Sequence, residues 1–237
     1  MFDYRHFGDS EGEPRQLLDI RRQLEDWKSA IAHARNLPNV DPQRVAIWGT
    51  SFGGGHVLAT AADDPSVAAV ISQCPFTDGL ASSLAAEFRV SIKLIVLALA
   101  DCIGSLFGAR PILVPLVGRP GETAFMTSWD SWDGYHGLIE QGMCHRNEVA
   151  ARLALDVIRY YPGRRTPRIQ APVLFCVCDP DSLAPAKRTL HYAEGAPLRE
   201  IKRYPHGHFN IYVGEAFEQV VCDQLDFLQR TLAGRKN

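Results

Sequence analysis

Apolar and polar positions along this chain alternate between two periods. After Pro14, the positions Leu17, Ile20, Leu24, Trp27, Ile31 and Ala34 recur at steps of three and four, with Arg, Glu, Asp and Lys filling the other side. That spacing predicts an amphipathic helix lying on a sheet and stopping near Leu37-Pro38. Asp41-Pro42 turns the chain into a short apolar run at 45–48, which predicts a strand. A helix of small residues over 54–62 follows, then a second apolar run over 67–72, bounded by Asp64-Pro65 and Pro75. Much later the rhythm resumes with an apolar strand at 173–177, a helix reaching His191 and a short strand at 200–204. Phe217, Val220, Val221, Leu225, Phe227 and Leu228 then mark a C-terminal amphipathic helix. Strands alternating with helices predict an α/β fold around a mainly parallel sheet.

Residues 80–166 break this rhythm. The stretch 89–107 is strongly apolar, but Lys93 and Asp101 interrupt it well short of the roughly 18–20 residues that a membrane span needs. A buried or cap helix is expected instead. Residues 111–121 and the cluster Trp129, Trp132 and Tyr135 predict irregular, aromatic-rich packing in which these rings and Phe125 form cap core. A helix over 147–158 closes the segment. The expected organisation is a core of 1–79 and 167–237 with a largely helical cap insertion over 80–166. That insertion either roofs the site as an apolar tunnel or serves packing alone. At the front, Phe2-Asp-Tyr-Arg5 reads as the tail of a strand, and a turn-rich stretch runs on to Pro14. No leader precedes it, so a cytoplasmic protein whose fold begins part-way is expected.

Composition narrows the function. The 237 residues carry 25 Lys+Arg against 27 Asp+Glu, and 46% are hydrophobic. Mixed charge near neutrality offers no argument for nucleic acid or an anionic membrane, and the apolar fraction excludes a disordered chain. Six cysteines (74, 102, 144, 176, 178 and 222) show neither a CxxC pair nor metal-ligand spacing. They are expected as reduced thiols packed as small hydrophobes, with Cys176 and Cys178 sharing one face of a strand. His136 and His145 lack the carboxylate company of metal ligands, and His56 is expected to be a packed or solvated helix residue. No glycine pattern for phosphate or dinucleotide is present, and Gly53-Gly-Gly55 is assigned to helix packing. No metal or organic cofactor is implied.

The chemistry concentrates in Gly49-Thr-Ser51-Phe-Gly53, which follows a predicted strand and opens a helix of small residues. That is the setting of a nucleophile elbow, where small flanking residues permit a strained turn that exposes the serine hydroxyl. The amide of Phe52, at the helix N-terminus, would then face a developing oxyanion. A serine nucleophile needs a base and an orienting acid, expected in the order Ser, Asp or Glu, His. Asp181 lies just past the strand ending at Val177, and His208 follows the last strand; both sit at carboxyl ends of strands. Asp179 and Asp78 compete for the acid role and His206 for the base.

With these motifs in order, the chain resembles the α/β-hydrolase superfamily along its whole length. The strings Gly8-Asp-Ser-Glu-Gly12, Trp48-Gly-Thr-Ser-Phe-Gly53, Gln73-Cys-Pro-Phe-Thr-Asp-Gly-Leu-Ala-Ser-Ser83 and Gly207-His-Phe-Asn-Ile-Tyr212 are similar to those of the fungal polyketide transferase and thiohydrolase family. The resemblance implies an α/β-hydrolase fold and a Ser51, His208, Asp181 triad. The implied substrate is a lipophilic acyl chain, polyketides included, carried as a thioester or ester, in some cases on a polyketide synthase. The acyl-enzyme would pass to water or to an alcohol acceptor. Asn210 stands where the family implies Asp and is expected to tune packing beside the base. The superfamily's three preceding strands, and the segment supplying a second oxyanion donor, have no counterpart ahead of Phe2. The chain is therefore expected either as a shortened version of a longer enzyme or as a fold whose neighbours close the gap. A non-catalytic pseudo-hydrolase that binds an acyl ligand or partner is the alternative.

Overall fold

The computed structural model describes residues 1–233 except Ala86, Gln141, Met143 and Cys144, so the expectation for Cys144 lies outside the described residues. The strands are β1 (Ala46–Thr50), β2 (Ala69–Gln73), β3 (Leu113–Val114), β4 (Val149–Ala150), β5 (Val173–Cys178) and β6 (Arg199–Tyr204). The α-helices are α1 (Ile20–Arg35), α2 (Phe52–Asp63), α3 (Gly79–Ala85), α4 (Phe88–Leu106), α5 (Ser131–Gly137), α6 (Leu153–Val157), α7 (Ala186–Ala193) and α8 (Gly214–Ala233). The chain divides into two compact units, one of Met1–Asp26 with Gly79–Tyr160 and one of Trp27–Asp78 with Tyr161–Asn237.

The second unit holds a parallel sheet in the order β1-β2-β5-β6. Every residue of β2 and β5 is buried, which is why β5 reads as an unbroken apolar run and β2 as one as far as Ile71. Side chains alternate with period two. Ile47, Val70, Val173, Phe175 and Val177 enter one core with Ile31 of α1 and Val57 and Leu58 of α2. Ala69, Ile71, Leu174, Cys176, Cys178 and Tyr204 enter the other with Val220 and Phe227 of α8. Cys176 and Cys178 thus share a face, as their spacing predicts. Strand β6 is mostly polar and tied to α8, through Lys202–Asp223 at 3.1 Å and Glu200–Arg230 at 2.9 Å. Its charged side chains suit a strand at the end of a sheet.

The first unit is built on α4. Val90, Leu94 and Ala98 pack with Val114, Val149 and Leu153, and Phe7 and Leu18 lie against the same cluster. That packing is why residues 1–26 fall with 79–160. Asp101, which breaks the apolar run of α4, is buried. Its carboxylate accepts from Arg152 Nε at 2.7 Å and Nη2 at 2.8 Å, and from the amides of Ile112 at 2.9 Å and Arg152 at 3.0 Å. Burial opposes its ionisation, yet these donors outweigh burial and hold the carboxyl below the ordinary range. Among the described residues no helix is long and apolar enough to cross a membrane.

Three expectations for this unit fail. Residues 2–5 form no strand: the Arg5 amide donates to Asp26 at 3.0 Å, the Asp3 carbonyl accepts from the Ser10 hydroxyl at 2.8 Å and the Tyr4 carbonyl from the Phe7 amide at 3.1 Å, so local partners take backbone groups that a strand would offer a neighbour. The helix over 147–158 shrinks to α6. Asn147 pairs both ways with the Val117 backbone, and β4 pairs antiparallel with β3, so tertiary partners hold 147–150 extended. Trp129 is 80% exposed and is no core residue. Trp132 is half-buried beneath the Arg119 guanidinium, 5.1 Å from its ring centre.

His56 of α2 is fully buried, and burial pushes its imidazole down from 6.5 to about 3. Below pH 6.5 the unfolded chain binds a proton at His56 that the folded chain refuses until about pH 3. Stability should therefore fall as pH drops through that window, by about 1.4 kcal/mol per unit for this group. Urea unfolding of His56→Gln between pH 7 and 4 is expected to lose that share of the slope.

Candidate active site

Strand β1 ends at Thr50 and α2 begins at Phe52, leaving Ser51 alone to turn the chain. Ser51 does so at φ 52° and ψ −120°, a positive-φ conformation costing of order 1–3 kcal/mol. Hydrogen bonds over-determine it. The Ser51 amide donates to the Gln73 carbonyl at 2.9 Å, and its carbonyl accepts from the amides of Phe76 at 2.9 Å and Gly55 at 3.2 Å. The turn is tight enough that a Cβ on Gly49 would stand 2.3 Å from the Gly53 carbonyl oxygen. Gly54 and Gly55 likewise approach the backbone of Gln73, Pro75 and Phe76, whereas Gly53 faces open space. Helix packing therefore explains only the last two glycines of the run.

His208 lies in the loop after β6, just before a 3-10 turn at Asn210–Tyr212. Its Nε2 is 3.0 Å from Ser51 Oγ, and its Nδ1 is 2.8 Å from Asp181 Oδ2. The other carboxylate oxygen, Oδ1, accepts from the amides of Leu183 at 2.9 Å and Ala184 at 2.7 Å, so the turn after β5 clamps the acid. The side chains of His208 and Asp181 are 3% and 1% exposed, which keeps water from competing for this pair. Because a carboxylate only accepts, Nδ1 carries the proton and Nε2 is left to accept from the Ser51 hydroxyl. An imidazole so held can take that proton as Oγ attacks an electrophile.

The structure thus brings together Ser51, Asp181 and His208. Asp179 instead pairs with Arg203 at 2.9 Å on the surface, and His206 is half-buried two residues before His208. Asp78 is buried in a different network, accepting from Arg188 Nη2 at 2.8 Å and the Tyr192 hydroxyl at 2.9 Å. Phe52 is the first residue of α2, its ring 4.8 Å from that of His56 and 5.1 Å from that of Phe76. Asn210 is exposed, at the start of the 3-10 turn.

Sequence reading missed a second set of side chains. The Thr50 hydroxyl pairs with that of Tyr212 at 2.5 Å, joining the end of β1 to the turn after His208. Tyr212 and Thr50 also meet Cys74 Sγ, at 3.3 and 3.5 Å. Burial pushes the Tyr212 phenol up, so it stays protonated and able to donate. Burial also opposes ionisation of Cys74, but a hydrogen bond with Cys178 and the nearby His208 outweigh it and hold the thiol down to about 6, while Cys178 is pushed up. Thr50, Cys74 and Tyr212 lie within the strings singled out above, but nothing in those strings marks their side chains as meeting one another.

A parallel sheet with helices on both faces, and a serine turned between a strand and a helix, are the features of an α/β-hydrolase. The chain belongs to the Hydrolase_4 family, described as serine aminopeptidase S33, whose pattern matches residues 1–213. It is 64% identical over 230 residues to quorum-quenching protein AidA of Acinetobacter baumannii (strain MDR-ZJ06), covering 97% of this chain and 76% of that one. It is 26% identical over 252 residues to thiohydrolase aneE of Aspergillus aculeatus, covering 99% and 77%. The crystal structure of the α/β-hydrolase GrgF from Penicillium superposes with a TM-score of 0.82 at 26% identity, covering 98% and 78%. The expected fold and the likeness to fungal polyketide transferases and thiohydrolases are both borne out.

Because the elbow leaves no room for a methyl group at Gly49, Gly49→Ala is expected to cost about 3 kcal/mol, the upper end of overpacking effects. Urea unfolding measures this directly; a loss within experimental error would mean that the turn is not sterically closed.

Proposed function

We propose that this hydrolase is serine-dependent and acts on the carbonyl of a lipophilic acyl ester, thioester or lactone. One observation carries the reading: the unbroken chain from Ser51 Oγ, on its strained turn, through His208 to Asp181, at 3.0 and 2.8 Å. His208 takes the Ser51 proton as Oγ attacks the carbonyl carbon. The oxyanion that forms faces the Phe52 amide at the N-terminus of α2, where the helix dipole favours negative charge. His208 then returns the proton to the departing alcohol or thiol, and an acyl-enzyme remains. Water, or an alcohol acceptor, repeats the sequence and frees Ser51. Asp181 holds the imidazole in the required tautomer throughout.

The substrate class draws on the relatives. The quorum-quenching name of the 64% identical protein favours a small diffusible signal as substrate. The thiohydrolase and polyketide-transferase names favour a carrier-bound acyl chain. All three chemistries share an activated acyl carbonyl, which is what the geometry at Ser51 suits.

A fluorophosphonate probe should label the wild-type protein and leave Ser51→Ala unlabelled. With p-nitrophenyl acyl esters or an acyl lactone, Asp181→Asn should lower kcat by about 10⁴, the cost of the wrong imidazole tautomer in serine proteases, with little change in KM. Equal labelling of Ser51→Ala, or a folded wild type without turnover on any acyl substrate, would overturn the reading in favour of a non-catalytic acyl binder.

A further inference from the structure

Cys74 is the residue after β2, Cys178 the last residue of β5, and Asp181 follows three residues later. Strands β2 and β5 are parallel neighbours, and the Cys74 amide donates to the Cys176 carbonyl at 2.7 Å, so the two strand ends lie level. Both cysteines point to the α8 face of the sheet, where they are 2% and 1% exposed. Cys74 sits at φ 31°, a backbone conformation that residues other than glycine rarely adopt. In consequence Cys74 Sγ, Cys178 Sγ and a carboxylate oxygen of Asp181 all lie within 4.8 Å of one another. Two sulfur donors and one oxygen donor, converging from separate strand ends, match the donor set of a tetrahedral thiophilic cation. Zn–S bonds of about 2.3 Å and Zn–O bonds of about 2.0–2.2 Å separate such donors by roughly 3.5–3.8 Å. Closing from a spacing of up to 4.8 Å takes about 1.3 Å at most, which side-chain rotation can supply.

We propose that Cys74, Cys178 and Asp181 form a binding site for a thiophilic divalent cation of the zinc and cadmium class, and that filling it inhibits the hydrolase. Binding displaces whatever protons the two thiols still carry, as two metal–sulfur bonds and one metal–oxygen bond form. Inhibition follows because Asp181 is shared. Coordination draws electron density from the carboxylate that holds His208 Nδ1 at 2.8 Å, which weakens that hydrogen bond and its support of the imidazolium that forms when His208 takes the Ser51 proton. The inhibitory half rests on the hydrolase reading above; the binding half does not.

Cadmium titrated into the reduced, metal-free protein should raise an ultraviolet thiolate-to-metal charge-transfer band that saturates at one ion per chain. The band should persist in Ser51→Ala and vanish in Cys74→Ala/Cys178→Ala. Zinc added to the ester assay should abolish wild-type turnover over the same occupancy range, reversibly with a chelator. The double variant's own turnover, at whatever level, should not respond. Should the double variant fail to fold, a Cys102→Ala/Cys144→Ala/Cys222→Ala variant must keep the full band. An unchanged band in the folded double variant, or its loss in the triple variant, would overturn the site. A saturated site with undiminished turnover would overturn the inhibition alone. If no acyl substrate is turned over, the cadmium band still decides the binding half.

Discussion

Ser51 is held at a backbone conformation that L-residues avoid, and most of what is distinctive in the sheet unit exists to hold it there. Its amide is bound to the carbonyl at the end of β2, and its carbonyl to the amide of Phe76 just beyond. These bonds require β1 and β2 to be parallel neighbours in the observed register, with Thr50 opposite Gln73. They also require that nothing larger than hydrogen stand at Gly49, since the following turn passes directly over it. Relaxing the turn would let Oγ swing from His208. The energy stored in one residue is thus sustained by the pairing of two strands and by a helix of small side chains.

The same parallel arrangement explains why three distant residues meet. In such a sheet all carboxyl ends fall on one edge, so the loops after β1, β5 and β6 emerge side by side. Ser51, Asp181 and His208 occupy those three loops. Each is further fixed by its own neighbourhood: Ser51 by β2, Asp181 by the amides of Leu183 and Ala184, His208 by the following turn, whose Tyr212 reaches Thr50. The arrangement is preorganised by backbone groups more than by side chains, which suits a site that must hold a proton path within a few tenths of an ångström.

Buried charge is handled by one rule in both units. Asp101 is satisfied by Arg152 and two amides, and Asp78 by Arg188 and Tyr192. Asp181 differs in that its partner is a histidine, a group able to change charge near neutral pH. That difference marks Asp181 for chemistry and Asp78 for structure, although both follow parallel strands and both are aspartates near turns. In the chain they look alike. All three precede His208 in the chain, so order alone leaves them open, and the preference for Asp181 comes from its place past the strand ending at Val177 and from the family resemblance; the structure adds the physical reason: Asp179 points to Arg203 at the surface, while Asp181 turns inward.

Strand and helix periods, the Ser51 elbow and the order of Ser51, Asp181 and His208 were legible in the residues, because periodicity and tight-turn chemistry are properties of short stretches. Burial along β2 and β5 leaves apolar runs, and a closed turn leaves glycines. What escaped depends on partners far along the chain. Residues 2–5 have strand-like side chains but spend their backbone hydrogen bonds on Asp26, Ser10 and Phe7, and residues 147–150 have helix-like ones but are held extended by Val117 and β3. The meeting of Cys74 with Cys178 and Asp181 left no trace in spacing at all. Two residues about a hundred positions apart become neighbours only when β5 pairs with β2, and that pairing is set by sheet topology, which no local pattern encodes.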